Sequence, residues 1–231
     1  MASQGKRIKA LRNQIEQGKK LDLMAAIDKA KSLSNEKFPA SVDVVFRIGV
    51  DPRKHMVKGV SQLPHGTGKT VKVIVFAEGE QAELASKAGA DLVGFEQLID
   101  DIKSGEVNIS QYDVCIAVPS AMKVLGKIAK ILGPKGMMPN AKLGTVTPDV
   151  ASAVSNVKKG QVKFTVEKGS LVHCQVGKVS FETSQLAENI QQLVTDLRRA
   201  KPSAAKGQYL QKMHLSTTMG PGIQVDLSTV A

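Results

Sequence analysis

The sequence contains no Trp, and aromatic residues make up only 3% of it. RNA-recognition folds that stack bases on clustered strand aromatics need more rings than this, so such a platform is excluded. Cysteine is as scarce. Cys115 and Cys174 are too few for a disulfide framework and too isolated for a zinc site. The histidines (His55, His65, His173 and His214) are scattered without an H-E-x-x-H pair, so no metal is expected. The longest apolar runs, such as Val73–Ala77 and Val114–Pro119, fall far short of the roughly 18 residues that span a bilayer. The basic N-terminus lacks the apolar core and cleavage site of a secretory signal. No G-x-S-x-G elbow is present and no acid pair stands out, so no catalytic residue is nominated. These absences leave a soluble globular protein of a reducing compartment, with no cofactor and no membrane partner expected, a description that many metabolic enzymes also fit.

What is present is positive charge, unevenly placed. The 231 residues hold 32 Lys and Arg against 21 Asp and Glu, a net of +11. Residues 69–159 hold 11 Lys, no Arg and 10 acids, a net of +1. Residues 1–68 and 160–231 therefore carry the other +10 and all the arginines: Arg7, Arg12, Arg47, Arg53, Arg198 and Arg199. A near-neutral middle between basic flanks predicts an α/β domain over 69–159 inserted into a discontinuous basic domain. The basic part points to a polyanionic partner.

Hydropathy patterning gives the two parts different folds. In the middle, apolar β-branched runs at Val71–Phe76, Asp91–Val93 and Asp113–Val118 alternate with helical spacing at Glu80–Lys87 and Phe95–Lys103. Over Met122–Leu132 one helical face carries Met122, Leu125, Ile128 and Leu132, and Thr147-Pro148-Asp149 reads as the start of another helix. This order predicts a three-layer, Rossmann-like α/β domain around a small parallel sheet. In the flanks, a basic helix from Lys6 to about Gln17 and a helix capped by Asp22 precede a strand at Ser41–Gly49. There Val42, Val44, Phe46 and Ile48 share one face. Gln161–Val166 and Leu171–Ser180 are expected to form a hairpin about Lys168-Gly169-Ser170. A helix over Ser184–Ala200 and strands at Tyr209–Thr217 and Ile223–Asp226 complete an α+β domain, an antiparallel sheet with helices on one face.

Several motifs carry chemistry. His65-Gly66-Thr67-Gly68-Lys69-Thr70 approaches a phosphate loop, but Leu63 stands where that loop needs glycine, and a strand follows instead of a helix. Gly66 and Gly68, with Gly160 at the return crossing, are read as hinge positions. Gly133-Pro134-Lys135-Gly136 matches the G-x-x-G of KH domains, yet Met137-Met138-Pro139 forbids the required second helix. The two methionines are expected at a domain interface or on a pliable contact surface. Ser216-Thr217-Thr218-Met219-Gly220-Pro221-Gly222 offers hydroxyls for phosphate or ribose, glycines for close backbone approach and an apolar methionine; its plain alternative is a Gly-Pro turn. Lys37 and Phe38 precede a strand, a position where an aromatic is more often core than contact.

The stretches KFPASVDVVFRIGVDPRK, LPHGTGKTVKVIVFAEG, AKILGPKGMMPNAKLGTV, HCQVGKVSFE and STTMGPG occur in this order across the chain. Together they resemble the bacterial large-subunit ribosomal protein L-one family, proteins of the mobile lateral stalk. The resemblance implies a first domain from both chain ends that binds large-subunit ribosomal RNA. It also implies contact with exit-site tRNA as that tRNA leaves, and repression of the chain's own operon mRNA. It implies a cytoplasmic, ribosome-associated protein that is not an enzyme and has no small-molecule substrate. The alternatives are a non-ribosomal RNA-binding regulator or chaperone and a nucleotide-handling enzyme using the inserted domain. Carried over by residue, the RNA contacts would be Lys37, Phe38, Ser41, Asp43, Thr218, Met219 and Gly220, with Thr217 adjacent. Lys168, His173 and Lys178 would be secondary RNA contacts, and Lys135 and Lys142 would face tRNA or an interface. Ser41 replaces the usual Thr and Glu167 the usual Asp, both keeping their chemistry. Ala141 stands where a second Pro is usual, and Thr165 loses the guanidinium of a common Arg.

Overall fold

The computed structural model describes residues 5–230 apart from 17, 54, 204 and 206, and for Lys142 the backbone alone. The chain divides into two compact units, residues 1–68 with 162–231 and residues 69–161. Each has its own apolar cluster.

The first unit begins with helix α1 (Lys6–Asn13), shorter than its basic pattern suggests; the expected end at Gln17 lies outside the described residues. Helix α2 (Leu23–Ser32) starts after Asp22, whose side chain makes no capping bond. Strand β1 (Ser41–Ile48) alternates as its sequence does, burying Val42, Val44, Phe46 and Ile48. Full burial of each such side chain contributes about 1.5–3 kcal/mol. Strand β2 (Lys58–Gln62) has no alternation of large side chains to announce it.

The second unit carries a parallel three-stranded sheet. Strand β3 (Val73–Phe76) lies at its centre, flanked by β4 (Leu92–Gly94) and β5 (Val114–Ala117), in the order β4-β3-β5. All four residues of β3 are buried, as a parallel strand covered on both faces requires. Helices α3 (Glu80–Lys87) and α4 (Glu96–Ser104) follow the first two strands. Over Met122–Leu132 the expected single helix is broken: α5 (Met122–Leu125), a 3-10 turn at Gly126–Ile128, then α6 (Ala129–Leu132). The predicted face still holds, with Leu125, Ile128 and Leu132 fully buried. Helix α7 (Val150–Lys158) is capped by Asp149, whose carboxylate accepts from the Ser152 N–H at 3.1 Å. Thr147 lies two residues before that cap, accepting from the Asp149 N–H at 3.2 Å. Met137 is buried within this unit's own core and the partly buried Met138 packs beside it.

The chain re-enters the first unit through β6 (Gln161–Thr165) and β7 (Leu171–Lys178). These two strands do not form the expected hairpin. Their turn closes, with the Glu167 N–H donating to Leu171 O at 2.9 Å, but only Val166 and Val172 bridge. Beyond it β6 pairs with β2, where Gly59 leaves room for the Phe164 ring, and β7 joins β1. Helix α8 (Thr183–Arg199) opens with a capping box between Glu182 and Gln185. Strands β8 (Leu210–Thr217) and β9 (Ile223–Val225) complete a four-stranded antiparallel sheet, β7-β1-β8-β9. Helices α2 and α8 pack together under one face. The other face is polar, with Asp43 opposite Gln175 and Ser216, and Val45 opposite His173 and His214.

Candidate nucleic-acid interface

Antiparallel pairing places the start of β1 against the end of β8. In the register Val42 faces Thr217 and Asp43 faces Ser216, so the segment before β1 and the turn after β8 emerge side by side. The ladder runs one residue further through a side chain. Thr218 Oγ1 accepts from the Ser41 N–H at 2.9 Å, and the Thr218 N–H donates to Ser41 O at 3.1 Å. Beyond this clasp the Gly220 N–H donates to Thr217 O at 3.1 Å, closing the turn. Phe38 on one lip and Met219 on the other are each 51% exposed. Lys37, beside Phe38, is also exposed. Phe38 is therefore not the core residue that its position before a strand suggests.

Thr217 differs from its neighbours. It lies on the core side of β8 at 4% exposure, and its Oγ1 is buried without a hydrogen-bond partner among the described residues. Gly220 lies over that oxygen, and a side chain at 220 would overlap it. Thr217 thus supports the turn and does not present its hydroxyl outward. Thr218 is exposed, but its hydroxyl is occupied by Ser41, so it shapes the surface more than it offers a free donor.

Arg7 is the residue that sequence reasoning misses. From α1 its Nη2 donates to Met219 O at 2.8 Å, and its Nη1 lies 3.9 Å from Glu36 Oε1. The Glu36 carboxylate is almost wholly buried and also accepts from the Ser34 hydroxyl. One guanidinium therefore ties both lips together while remaining half exposed. The only signal in the sequence is the basic character of α1, since 212 residues separate Arg7 from Met219.

Asp43 lies half-buried on the polar face. Desolvation raises its pKa above the ordinary carboxylate value, with the His173 charge pulling it back. Its acceptor oxygens suit a 2′-hydroxyl or a base amino group, not a phosphate. Cys174 is buried next to it on β7, its thiol pushed up to about 12 by desolvation and then by Asp43, so it is unreactive.

The secondary residues do not form one group. Lys178 pairs with Ser41 at the clasp end of β7. His173 is exposed mid-strand, 3.8 Å from Glu167. Lys168 sits in the turn before Leu171, which pairs with Arg47 near the far end of β1. Seven residues of strand place that end roughly 23 Å from Lys178. In the second unit Lys135 Nζ donates to Ser110 Oγ at 2.7 Å, and the Lys142 side chain lies outside the described residues. Gly66, Gly68 and Gly160 all adopt positive φ (66°, 68° and 101°), the region where only glycine is unstrained. Among the described residues no group of three His, Cys, Asp or Glu side chains is placed to hold a metal, and no helix is long and apolar enough to cross a membrane.

Residues 29–221 match the model of the ribosomal protein L1p/L10e family. Large ribosomal subunit protein uL1 of Alcanivorax borkumensis is 53% identical, over 98% of this chain and 97% of that protein. Its namesake from Methylococcus capsulatus is 50% identical over the full length of both, and that from Teredinibacter turnerae is 50% identical over 100% of this chain and 99% of that one. Identity near one half from end to end, with a family match over most of the length, places the chain without ambiguity: it belongs to the ribosomal protein L1p/L10e family.

Proposed function

We propose that the chain is a structural component of the large ribosomal subunit that binds ribosomal RNA through its first unit. The clasp between β1 and β8 carries this reading. It presents Lys37, Phe38, Met219 and the Gly220 backbone on one rigid surface, with Arg7 and Lys178 alongside. No proton or bond is exchanged there. Backbone and apolar groups fit the sugar and base edges, and Lys and Arg attract phosphates. If about four phosphates are neutralised on a duplex-like site, log K falls with log salt at a slope of about −3 to −4. The finer roles rest on the motif resemblance alone: a mobile stalk, help to deacylated tRNA leaving the exit site, and repression of the chain's own operon mRNA.

The test is binding of wild type, Met219→Ala and Thr218→Ala to a large-subunit rRNA fragment and to an unrelated RNA of equal length. Both variants are expected to lose far more affinity for the rRNA fragment than for the unrelated RNA. Equal losses on the two RNAs would refute the clasp as the recognition surface. Failure to co-sediment with large subunits would favour a non-ribosomal RNA regulator instead.

A further inference from the structure

The opposite end of β8 carries a second concentration of positive charge. A cleft of about 590 Å³ opens there, with Lys20, Arg198, Lys201, Tyr209, Lys212 and Asp226 in its lining. Four cations and one acid give the lining a formal +3. Asp226 is already engaged, its carboxylate accepting from the Ser228 N–H at 3.1 Å. Among the described residues none of the four cations pairs with a carboxylate within 4 Å.

The ordinary explanation covers only part of this. Arg198 and Lys201 flank the end of α8, where cations offset the helix's negative pole. Lys20 and Lys212 come from elsewhere. Lys20 precedes Leu21, whose N–H donates to Gln224 O at 3.0 Å and whose O accepts from the Asp226 N–H at 2.9 Å. Lys212 stands on β8 directly opposite Arg47 on β1. Like charges directly opposite on neighbouring strands oppose pairing, and both residues are exposed. An arrangement that costs stability in the free protein fits a surface meant to be neutralised by an anion. The backbone here is pinned besides, with the Gly49 N–H donating to Tyr209 O at 2.7 Å.

We infer that this cleft is a second phosphate site, taking the phosphodiester backbone of an RNA strand that also reaches the clasp. It rests on the reading of the chain as an RNA-binding protein. The eight residues of β8 separate the two places by roughly 23 Å. A single strand or one helical segment of RNA covers that distance. The cleft offers charge, and the one ring in its lining, Tyr209, is buried, so it adds affinity and salt dependence and reads no sequence.

The test uses the full chain with Lys20→Gln, Arg198→Gln and Lys212→Gln combined, its fold verified by circular dichroism and thermal melting. A control, Lys87→Gln with Lys103→Gln and Lys123→Gln, removes the same charge elsewhere. Affinity for the rRNA fragment and for an unrelated duplex is measured by anisotropy between about 50 and 200 mM salt. If the cleft neutralises two phosphates, the triple variant's slope is shallower by about 1.8, so wild type loses about 12-fold more affinity over that fourfold rise. The preference for rRNA over the unrelated duplex should not change, in contrast to Met219→Ala. Unchanged slopes in a folded variant, or equal shallowing by the control, would overturn the proposal. Calorimetry with inorganic tripolyphosphate separates a small-ligand site: binding lost in the triple variant while its RNA slopes match wild type also overturns it. A wild type without any preference for rRNA would undo the assigned function instead, and the slope on the unrelated duplex would still decide the cleft.

Discussion

Asn189 gives the sharpest test of how the first unit holds the segment that leads to the second. Its side chain is wholly buried in α8 and makes three hydrogen bonds. Nδ2 donates to Val176 O at 2.8 Å and to Gly66 O at 3.0 Å, and Oδ1 accepts from the His65 N–H at 3.1 Å. At about 1 kcal/mol net for each bond, Asn189→Ala should cost about 3 kcal/mol, before any term for the backbone groups left unpaired. Asn189→Asp separates hydrogen bonding from packing. At neutral pH it sets a carboxylate against two carbonyl oxygens and should be less stable than the Ala variant. Burial and those carbonyls raise the carboxyl pKa in the folded state, so that state holds the proton more tightly than the unfolded chain. The variant's deficit must therefore shrink as pH falls from 7 toward the ordinary Asp value near 4. Urea unfolding followed by tyrosine fluorescence measures this, in a Tyr112→Phe background that leaves Tyr209 as the reporter of the first unit. A loss under about 1 kcal/mol for Asn189→Ala, or an Asp variant with no pH-dependent recovery, would refute the clip.

Three further outcomes follow from the same geometry. Gly220→Ala drives a methyl onto Thr217 Oγ1 and should cost about 1–3 kcal/mol, with Thr217→Ala in the same chain recovering much of it; additive losses in thermal melts would show no contact. Asp43→Asn should raise the melting temperature at pH 7, because desolvation makes the carboxylate unfavourable there. That advantage should fade as pH drops through the raised Asp43 pKa, and a gap that widens instead contradicts the sign. Residues 1–68 joined to 162–231 by a short Gly/Ser linker should fold and retain rRNA binding, since their apolar cluster draws on no residue of the other unit; a folded fragment that does not bind would move the determinant to residues 69–161.

How much of this could be read from the chain depended on how local each cause is. The alternation in Ser41–Ile48 and the apolar run at Val73–Phe76 report burial on one face and on two, and both strands lie where those patterns are. Strand β2 is hidden because its partner β6 is about a hundred residues away and its central glycine is shaped by the Phe164 ring, not by its own neighbours. The β6–β7 hairpin misleads for the same reason: a good turn specifies only its closing bonds, and competing long-range partners separate the strands. At the clasp, Thr218 and Met219 stand out as an unusual turn, but the inward side chain of Thr217 and the tie from Arg7 are visible only once β1 and β8 are in register.

The scarcity of aromatic residues takes on a specific meaning in three dimensions. Of the six Phe and two Tyr, Phe38 alone is exposed. One ring can stack on one base, worth about 1–3 kcal/mol, and that cannot distinguish one RNA from the many others carrying an unstacked base. Discrimination at the proposed interface must then come from fit. The Ser41–Thr218 clasp consumes the hydroxyl that would otherwise be the most adaptable donor on the surface. Arg7, a flexible cation elsewhere, is fixed there to a backbone carbonyl beside a buried carboxylate. A surface whose polar groups are already committed to one another cannot rearrange to suit a different RNA. At the proposed interface such a surface would select by shape and reject by clash, while exposed cations elsewhere on the unit, Lys212 among them, would add attraction without preference.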